Sequence, residues 1–150
     1  MTKVLIAEDN ILIAEMLEMF LTSEGFDVCG VASNVNEAVA LVELHQPDLG
    51  IFDFRLAGGE CGSEIRPRVR GPNDMKILYV SGDPLDTKLT RSDGEAYIQK
   101  PYGMKDLSNA LSIIQEMKTN TNISPSVFPK SLHFLKNAQY ARKNSNWKAL

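Results

Sequence analysis

Hydrophobic and polar positions follow two alternating patterns along residues 1–118 of the chain. Short, nearly continuous apolar runs are typical of strands buried on both faces, and they alternate with segments whose apolar positions recur every three or four residues. The pattern therefore predicts five strands, each followed by a helix. The predicted strands are Lys3–Ala7, Val28–Ala32, Leu49–Phe52, Lys76–Val80 and Ala96–Gln99.

The predicted helices differ in the strength of their signals. Asp9 or Asn10 can cap the first helix, and Asn34 or Asn36 can cap the second. The third is expected to be short or bent, because Pro67 lies near its first turns. The last two have unequal apolar patterns: Leu85 and Leu89 in the fourth, and Leu107, Ala110, Leu111, Ile114 and Met117 in the fifth.

Strands and helices in this alternation predict an α/β fold in which helices cover both faces of a parallel sheet. Right-handed crossover connections make such a sheet doubly wound. Ligands of these folds bind beyond the carboxyl ends of the strands, near the point where the strand order reverses. The residues that follow each strand are therefore the first candidates for chemistry.

Composition sets limits on the class of protein. The chain has 150 residues, 43% of them hydrophobic and 23% charged, which is ordinary for one globular domain. No apolar run approaches the roughly 20 residues of a membrane span, and the N-terminus does not have the pattern of a signal peptide. We therefore predict a cytoplasmic protein without membrane contact. Cys29 and Cys61 have no metal-binding spacing and are expected to be free thiols.

The net charge of −3 hides an uneven distribution, because all 19 acidic residues lie within residues 1–118. We therefore divide the chain into a folded domain, 1–118, and a basic extension, 119–150. Thr119–Pro129 has the composition of a linker, and Lys130–Lys143 could form a short helix. The aromatic residues of the extension suggest that it packs on the folded domain of its own chain or of a dimer mate. Nucleic-acid binding by the extension is kept only as an alternative.

Four of the five predicted strands end in a residue that can carry chemistry. The first ends in Glu8 and Asp9, the third in Asp53, the fourth in Ser81 and the fifth in Lys100. Because the carboxyl ends of parallel strands share one edge, these side chains can meet in one pocket. Clustered carboxylates repel one another, and Mg²⁺, which prefers oxygen ligands and keeps several waters, relieves that repulsion. The set suits phosphoryl transfer to a carboxylate.

Each of these residues also has an ordinary structural interpretation. Glu8 and Asp9 can serve the N-terminus of a helix, where acidic groups are favoured by the helix dipole. Asp53 and Ser81 can be turn residues, and Lys100 can be a surface charge. It is the joint placement at four strand ends that favours a site.

These residues stand in segments that resemble the CheY-like receiver domains of bacterial two-component response regulators. The matching segments are LIAEDN, IFDFRL, ILYVSGD and AYIQKPY, within residues 3–118. The resemblance implies a flavodoxin-like, five-stranded parallel sheet in the order 2-1-3-4-5. It also implies a protein that accepts a phosphoryl group from a sensor histidine kinase or a histidine phosphotransfer protein, rather than a turnover enzyme.

The resemblance assigns a role to each matching position. Asp53 would be the phosphoacceptor, and Mg²⁺ would be held by Asp53, Asp9, Glu8 through water, and the backbone carbonyl of Arg55. The remaining assignments are Ser81 as the switch hydroxyl, Gly82 and Lys100 as phosphoryl-binding residues, Tyr97 as the aromatic switch, and Lys100-Pro101 as a cis peptide.

The resemblance also implies an output surface. Ser81 would move toward the phosphoryl group, and Tyr97 would turn from exposed to buried. The face made by the predicted fourth helix, fifth strand and fifth helix would then bind a downstream protein or a second copy of the chain. The loop after Asp53 departs from the family pattern, with Ala57 in place of a frequent proline and one more residue before Gly62, so that Gly58-Gly59 lies within it.

Three alternative functions can be compared with the sequence. A phosphatase of the haloacid-dehalogenase type needs an acid two residues after its nucleophile, where this chain has Arg55. An interaction module that has lost the chemistry would not need the full set of acids together with Lys100. A receiver whose basic extension binds nucleic acid would show a salt-dependent interaction that is lost on truncation.

Overall fold

A computed structural model describes residues 1–71, 73–117 and 128–138, and these form one six-stranded sheet in the order β2-β1-β3-β4-β5-β6. The first five strands are parallel and the sixth is antiparallel to β5. The strands are β1 Lys3–Ala7, β2 Asp27–Ala32, β3 Leu49–Asp53, β4 Lys76–Ser81, β5 Ala96–Gln99 and β6 Leu132–Phe134. The predicted order of the first five strands is confirmed.

The described helices are α1 Ile11–Ser23, α2 Val35–His45, α3 Ile65–Arg68 and α4 Met104–Glu116. Asn10 caps α1, because its side chain accepts the backbone N–H groups of Leu12 and Ile13. Asn34 caps α2 in the same way, and α3 is the short helix that Pro67 led us to expect. The predicted fifth helix is α4.

Two apolar layers hold the sheet between the helices. One layer contains Ala38 and Val42 of α2 and Phe52 of β3. The other contains Leu17 of α1 and Leu111 of α4. Side chains of one strand alternate between these layers, which is why the strands read as continuous apolar runs. The doubly wound α/β fold predicted from the sequence is therefore confirmed.

The predicted fourth helix is absent. Turns connect β4 to β5, and only Leu85 and Leu89 of this connection bury apolar side chains where a helix was expected. The side chain of Asp93 accepts the backbone N–H of Thr90, which stabilises a turn instead of a helix. With so few apolar positions, burial could not offset the local preference for turns.

The extension supplies β6, which the sequence analysis did not predict. Residues 130–138 were expected to begin a helix, but Leu132–Phe134 form a strand on the edge of β5. The prediction that the extension packs on a folded domain is confirmed for residues 128–138, which pack on their own chain. Residues 119–127 of the predicted linker and residues 139–143 of the predicted helix lie outside the described residues.

Two expectations from composition can be compared with the structure. Cys29 and Cys61 are both free, as predicted. Among the described residues, no helix combines the length and the apolar character that crossing a bilayer requires.

Candidate functional site

The carboxyl ends of β1 and β3 bring three acidic side chains together. One carboxylate oxygen each from Glu8, Asp9 and Asp53 lies within 4.8 Å of the others. Glu8 and Asp9 follow β1 directly, and Asp53 is the last residue of the neighbouring strand β3. The register of the parallel sheet therefore assembles residues that lie more than forty positions apart in the sequence.

Asp53 is almost fully buried, yet both of its carboxylate oxygens have a donor. The ammonium group of Lys100 donates to Oδ2 at 2.9 Å, and the backbone N–H of Arg55 donates to Oδ1 at 3.2 Å. These two donors hold the carboxylate in one orientation at the end of β3. A carboxylate held in one orientation by two donors can act as a nucleophile.

Glu8 is the electrostatically unfavourable member of the acidic cluster. Its burial, followed by the negative charge of Asp53, raises the pKa of the Glu8 carboxyl from its ordinary value of 4.5 to about 7. The nearby Lys100 charge opposes this rise. One oxygen of Glu8, Oε2, is buried without a hydrogen-bond partner. An unpaired buried carboxylate oxygen is costly, and a positive group bound beside it would relieve that cost.

These features fit a divalent cation. Three carboxylates at mutual ligand distance, one with an unsatisfied buried oxygen, form the hard oxygen donor set that Mg²⁺ prefers. Glu8, Asp9 and Asp53 are therefore the residues that could hold the metal. The predicted contribution of the Arg55 carbonyl remains a prediction.

Lys100 reaches the site from β5. Its side chain is about 39% exposed, and its ammonium group lies beside Asp53 because the strand end directs it toward β3 across β4. The backbone N–H of Lys100 donates to the Ser81 carbonyl at 2.8 Å, and the Lys100-Pro101 peptide bond is cis. Lys100 is thus positioned both by the sheet and by the loop that follows it.

Ser81 ends β4 and is buried next to the same edge. Its hydroxyl oxygen accepts the backbone N–H of Asp83 at 3.1 Å, so this oxygen holds the start of the β4–β5 connection. Gly82 is exposed between them, and its carbonyl accepts a 3.5 Å hydrogen bond from the Gln99 side chain. The structure therefore brings Ser81 and Gly82 to the predicted edge.

The loop after Asp53 packs closely against the end of β3. A Cβ atom at Gly62 would lie 2.4 Å from the backbone carbonyl oxygen of Asp53. The Gly62 N–H donates to the Phe54 carbonyl, and Arg55 forms a β-bridge with Cys61. Glycine at this position lets the loop fold back onto the end of β3.

A charged pair that the sequence did not reveal joins two loops next to the site. The guanidinium group of Arg55 donates to the carboxylate of Asp83 at 3.0 Å, and both side chains are mostly exposed. Arg55 follows Asp53 by two positions, and Asp83 follows Ser81 by two. The pair therefore connects the loops after β3 and β4, and only the tertiary structure shows that they meet.

Tyr97 is already buried, which differs from the exposed starting position that was expected. Its hydroxyl donates to Asp86 at 2.7 Å, and His133 of β6 stacks on its ring. Burial, followed by the hydrogen bond to Asp86, raises the pKa of Tyr97 to about 12. The side chain of Tyr97 is thus covered both by the β4–β5 connection, through Asp86, and by the extension, through His133.

Tyr102 is a second residue whose position the sequence analysis missed. It lines a small cavity together with Glu8, Asp53 and Val80. Burial, followed by the charges of Glu8 and Asp53, raises the pKa of its hydroxyl to about 12. Its position two residues after Lys100 was the available signal, since Lys100 was already placed at the site.

Comparison with known proteins identifies related sequences. The family model described as "response regulator receiver domain" matches residues 4–112. The transcriptional regulatory protein PdtaR of Mycobacterium tuberculosis is 34% identical over 114 residues, which cover 74% of this chain and 55% of PdtaR. The chain thus spans about half the length of these curated relatives.

Solved structures with the same fold include receiver domains. The signal receiver domain of a modulated diguanylate cyclase from Desulfovibrio desulfuricans G20 is 30% identical, with a TM-score of 0.64 over 75% of this chain and 92% of that one. The response regulator PhyR from Brucella abortus is 26% identical, with a TM-score of 0.59 over 69% of this chain and 43% of that one.

Proposed function

Because the chain belongs to the response regulator receiver domain family, we propose that Asp53 accepts a phosphoryl group from a phosphohistidine of a partner protein. The donor would be a sensor histidine kinase or a histidine phosphotransfer protein. The observation that carries this proposal is that Asp53 contacts both the ammonium group of Lys100 and the neighbouring carboxylates of Glu8 and Asp9 at one edge of the sheet.

In the proposed reaction, a carboxylate oxygen of Asp53 attacks the phosphorus atom. An O–P bond forms, the P–N bond to the donor imidazole breaks, and the electron pair leaves with that nitrogen. Bound Mg²⁺ would supply positive charge against the phosphoryl oxygens. The ammonium group of Lys100 would place a second positive charge next to the phosphoryl group. Glu8 and Asp9 would hold the metal.

Ser81 connects the chemistry to the surface. If its hydroxyl donates to a phosphoryl oxygen, the contact with the Asp83 N–H at 3.1 Å is free to change. Asp86, three residues after Asp83, accepts the hydroxyl of Tyr97 and so helps to hold its ring in place. A change at Ser81 would thus alter the position of Tyr97, and Tyr97→Ala should uncouple output from phosphorylation. Unchanged phosphorylation-dependent partner binding in that variant would contradict this role.

The rival functions have less support. Arg55 stands where a dehalogenase-type phosphatase needs its second acid, and its guanidinium group faces Asp83 at the surface. A phosphorylation-independent interaction module would not require the donors placed around Asp53. We therefore propose a cytoplasmic signalling protein of a two-component system that binds a downstream protein and does not turn over a free substrate.

The direct test is incubation of the full chain with Mg²⁺ and acetyl phosphate, followed by intact mass measurement. We expect one added phosphoryl group, which depends on Mg²⁺ and is lost in Asp53→Asn. Asp27→Asn, an exposed aspartate on β2, is the matched control and should be modified like the native protein.

Other outcomes of this test are informative. An adduct that persists in Asp53→Asn would show that another residue is the acceptor. No adduct on the native protein would favour the interaction module, and Mg²⁺ titration would then decide whether the acidic cluster binds metal at all.

A further inference from the structure

Residues 128–138, which we call the capping segment, close the edge of β5. β6 pairs antiparallel with β5, with Tyr97 opposite His133. Further backbone bonds extend this pairing at both ends: Gln99 N–H donates to the Ser131 carbonyl and Leu135 N–H donates to the Glu95 carbonyl, both at 3.0 Å. The capping segment thus satisfies an edge that would otherwise expose unpaired backbone groups.

The capping segment also contributes side chains to both faces of the sheet. Leu132 is buried in the layer that contains α4, and Leu135 in the layer that contains Tyr97. The ring of His133 stacks on that of Tyr97, with centroids 4.9 Å apart and planes inclined by 21°. The segment therefore occupies a groove along β5 in the manner of an extended peptide ligand.

The capping segment is an addition to a fold that is complete without it. The family model ends at residue 112, before the segment begins. The first five strands and α1, α2 and α4 already form both apolar layers, and β6 contributes a ladder of only three residue pairs. A short edge strand has few bonds to break, so it can open without unfolding the domain.

We propose that the capping segment is a displaceable internal ligand of the β5 edge, released when Asp53 is phosphorylated. This inference rests on the proposed function. Release exposes the β5 edge and Tyr97, a surface that fits an extended strand from a partner protein with alternating apolar and aromatic side chains. In the unphosphorylated chain, the segment occupies this surface and excludes the partner.

A short series of contacts connects Asp53 to the segment. The Ser81 hydroxyl accepts the N–H of Asp83, and Asp86, three residues later, accepts the hydroxyl of Tyr97. When Ser81 turns to a phosphoryl oxygen, the turn that carries Asp86 loses its anchor. Tyr97 then loses the position on which His133 stacks.

A test of this inference is hydrogen exchange on the full chain with Mg²⁺, with and without beryllium fluoride, a non-covalent mimic of the aspartyl phosphoryl group. The reporter amides are Gln99 and Leu135, which donate across the β5–β6 pair. We expect both to exchange about tenfold faster with the mimic, a typical size for coupling between two sites. Asp53→Asn should abolish the effect, and amides of β1 should not change.

Coupling must be reciprocal, which gives a second measurement. Weakening the cap with His133→Ala should raise the affinity for the mimic and speed exchange at Gln99 and Leu135 without it. His133→Phe, which keeps the stacked ring, should behave like the native protein. His45→Ala, at the end of α2, is the matched histidine control and should leave both quantities unchanged.

The outcomes separate the two proposals. If the mimic does not bind, Asp53 is not the acceptor and both the proposed function and the coupling are wrong. If it binds but exchange at Gln99 and Leu135 stays the same, the proposed function stands and release of the segment is overturned. A dimer in which the reporter amides stay protected would show that two copies of the chain swap their β6 strands, which also contradicts release.

Discussion

The ammonium group of Lys100 lies 2.9 Å from the Asp53 carboxylate, although the two residues come from strands separated by β4 in the sheet. This ion pair balances one negative charge in a cluster of three carboxyl groups. It also marks the position where a phosphoryl group on Asp53 would meet a positive charge.

Lys100→Ala should reduce the rate of phosphorylation by acetyl phosphate by at least about tenfold, because the positive charge beside the transferring group is lost. The measurement is the intact mass of the protein as a function of time. Lys105→Ala is the control, because Lys105 is an exposed lysine that pairs at 3.7 Å with Glu24, the residue that follows α1. Equal rates in the two variants would contradict a role for Lys100 in transfer.

Glu8→Gln should stabilise the metal-free protein at alkaline pH. Because the folded-state pKa of Glu8 is raised from 4.5 to about 7, the folded protein binds more protons than the unfolded chain between these values. The free energy of unfolding therefore falls as pH rises through this window, by up to about 3 kcal/mol. The free energy of unfolding of the variant should not fall in this way. The variant should therefore be more stable than the native protein at pH 8 but not at pH 4.

The measurement is denaturant unfolding in chelator at both pH values. Glu37→Gln is a control of opposite sign, because hydrogen bonds from Ser33 lower the pKa of Glu37. That variant should lose rather than gain stability when the native carboxyl is ionised. A gain for Glu8→Gln that is the same at pH 4 and pH 8 would contradict the charge argument.

Asp83→Ala should shorten the lifetime of the phosphorylated state with little effect on stability. The Arg55–Asp83 pair is exposed, so its loss should change the free energy of unfolding by less than about 1 kcal/mol. The pair links the loops after β3 and β4, and we expect that these loops separate when it is removed and give water easier access to Asp53. Decay of the adduct after removal of acetyl phosphate measures the effect.

Arg68→Ala is the control for this experiment, since Arg68 forms a similarly exposed pair with Glu64 away from the acidic cluster. We expect its adduct to decay like that of the native protein. If the adducts of Asp83→Ala and Arg68→Ala decay at the same rate, the Arg55–Asp83 pair does not restrict the access of water to Asp53.

Gly62→Ala should destabilise the protein by about 1–3 kcal/mol and slow phosphorylation, because the added Cβ would lie 2.4 Å from the Asp53 carbonyl oxygen. The end of β3 or the loop must shift to accommodate it. Gly82→Ala is the stability control, since a Cβ at Gly82 meets no atom within 4 Å. Thermal unfolding measures the stability of both variants. Equal stability would show that the loop accommodates the added Cβ at Gly62 without strain.

The sequence predicted the five parallel strands and the acidic cluster because their signals are local. Each strand has its own apolar run, and Glu8, Asp53 and Lys100 stand at positions where those runs end. The rule that parallel strands share one carboxyl edge then brings the residues together. The same reasoning could not show the Arg55–Asp83 pair, since the meeting of two loops depends on their conformations.

The predicted fourth helix shows where local signals fail. Leu85 and Leu89 have helical spacing, and both are buried, but within turns. Two apolar positions do not distinguish a helix from a chain that places the same side chains in the core. The burial of these residues was therefore predictable, whereas their secondary structure was not.

The sequence by itself determined the order of the first five strands, the apolar layers and the ionisable residues at the strand ends, because these follow from periodicity and from short-range preferences. Only the tertiary structure decided that Leu132–Phe134 form a strand and that His133 covers Tyr97. The physical reason is that a three-residue strand has little stability of its own. It forms where the folded sheet offers an edge with unpaired backbone groups and two apolar layers that accept Leu132 and Leu135.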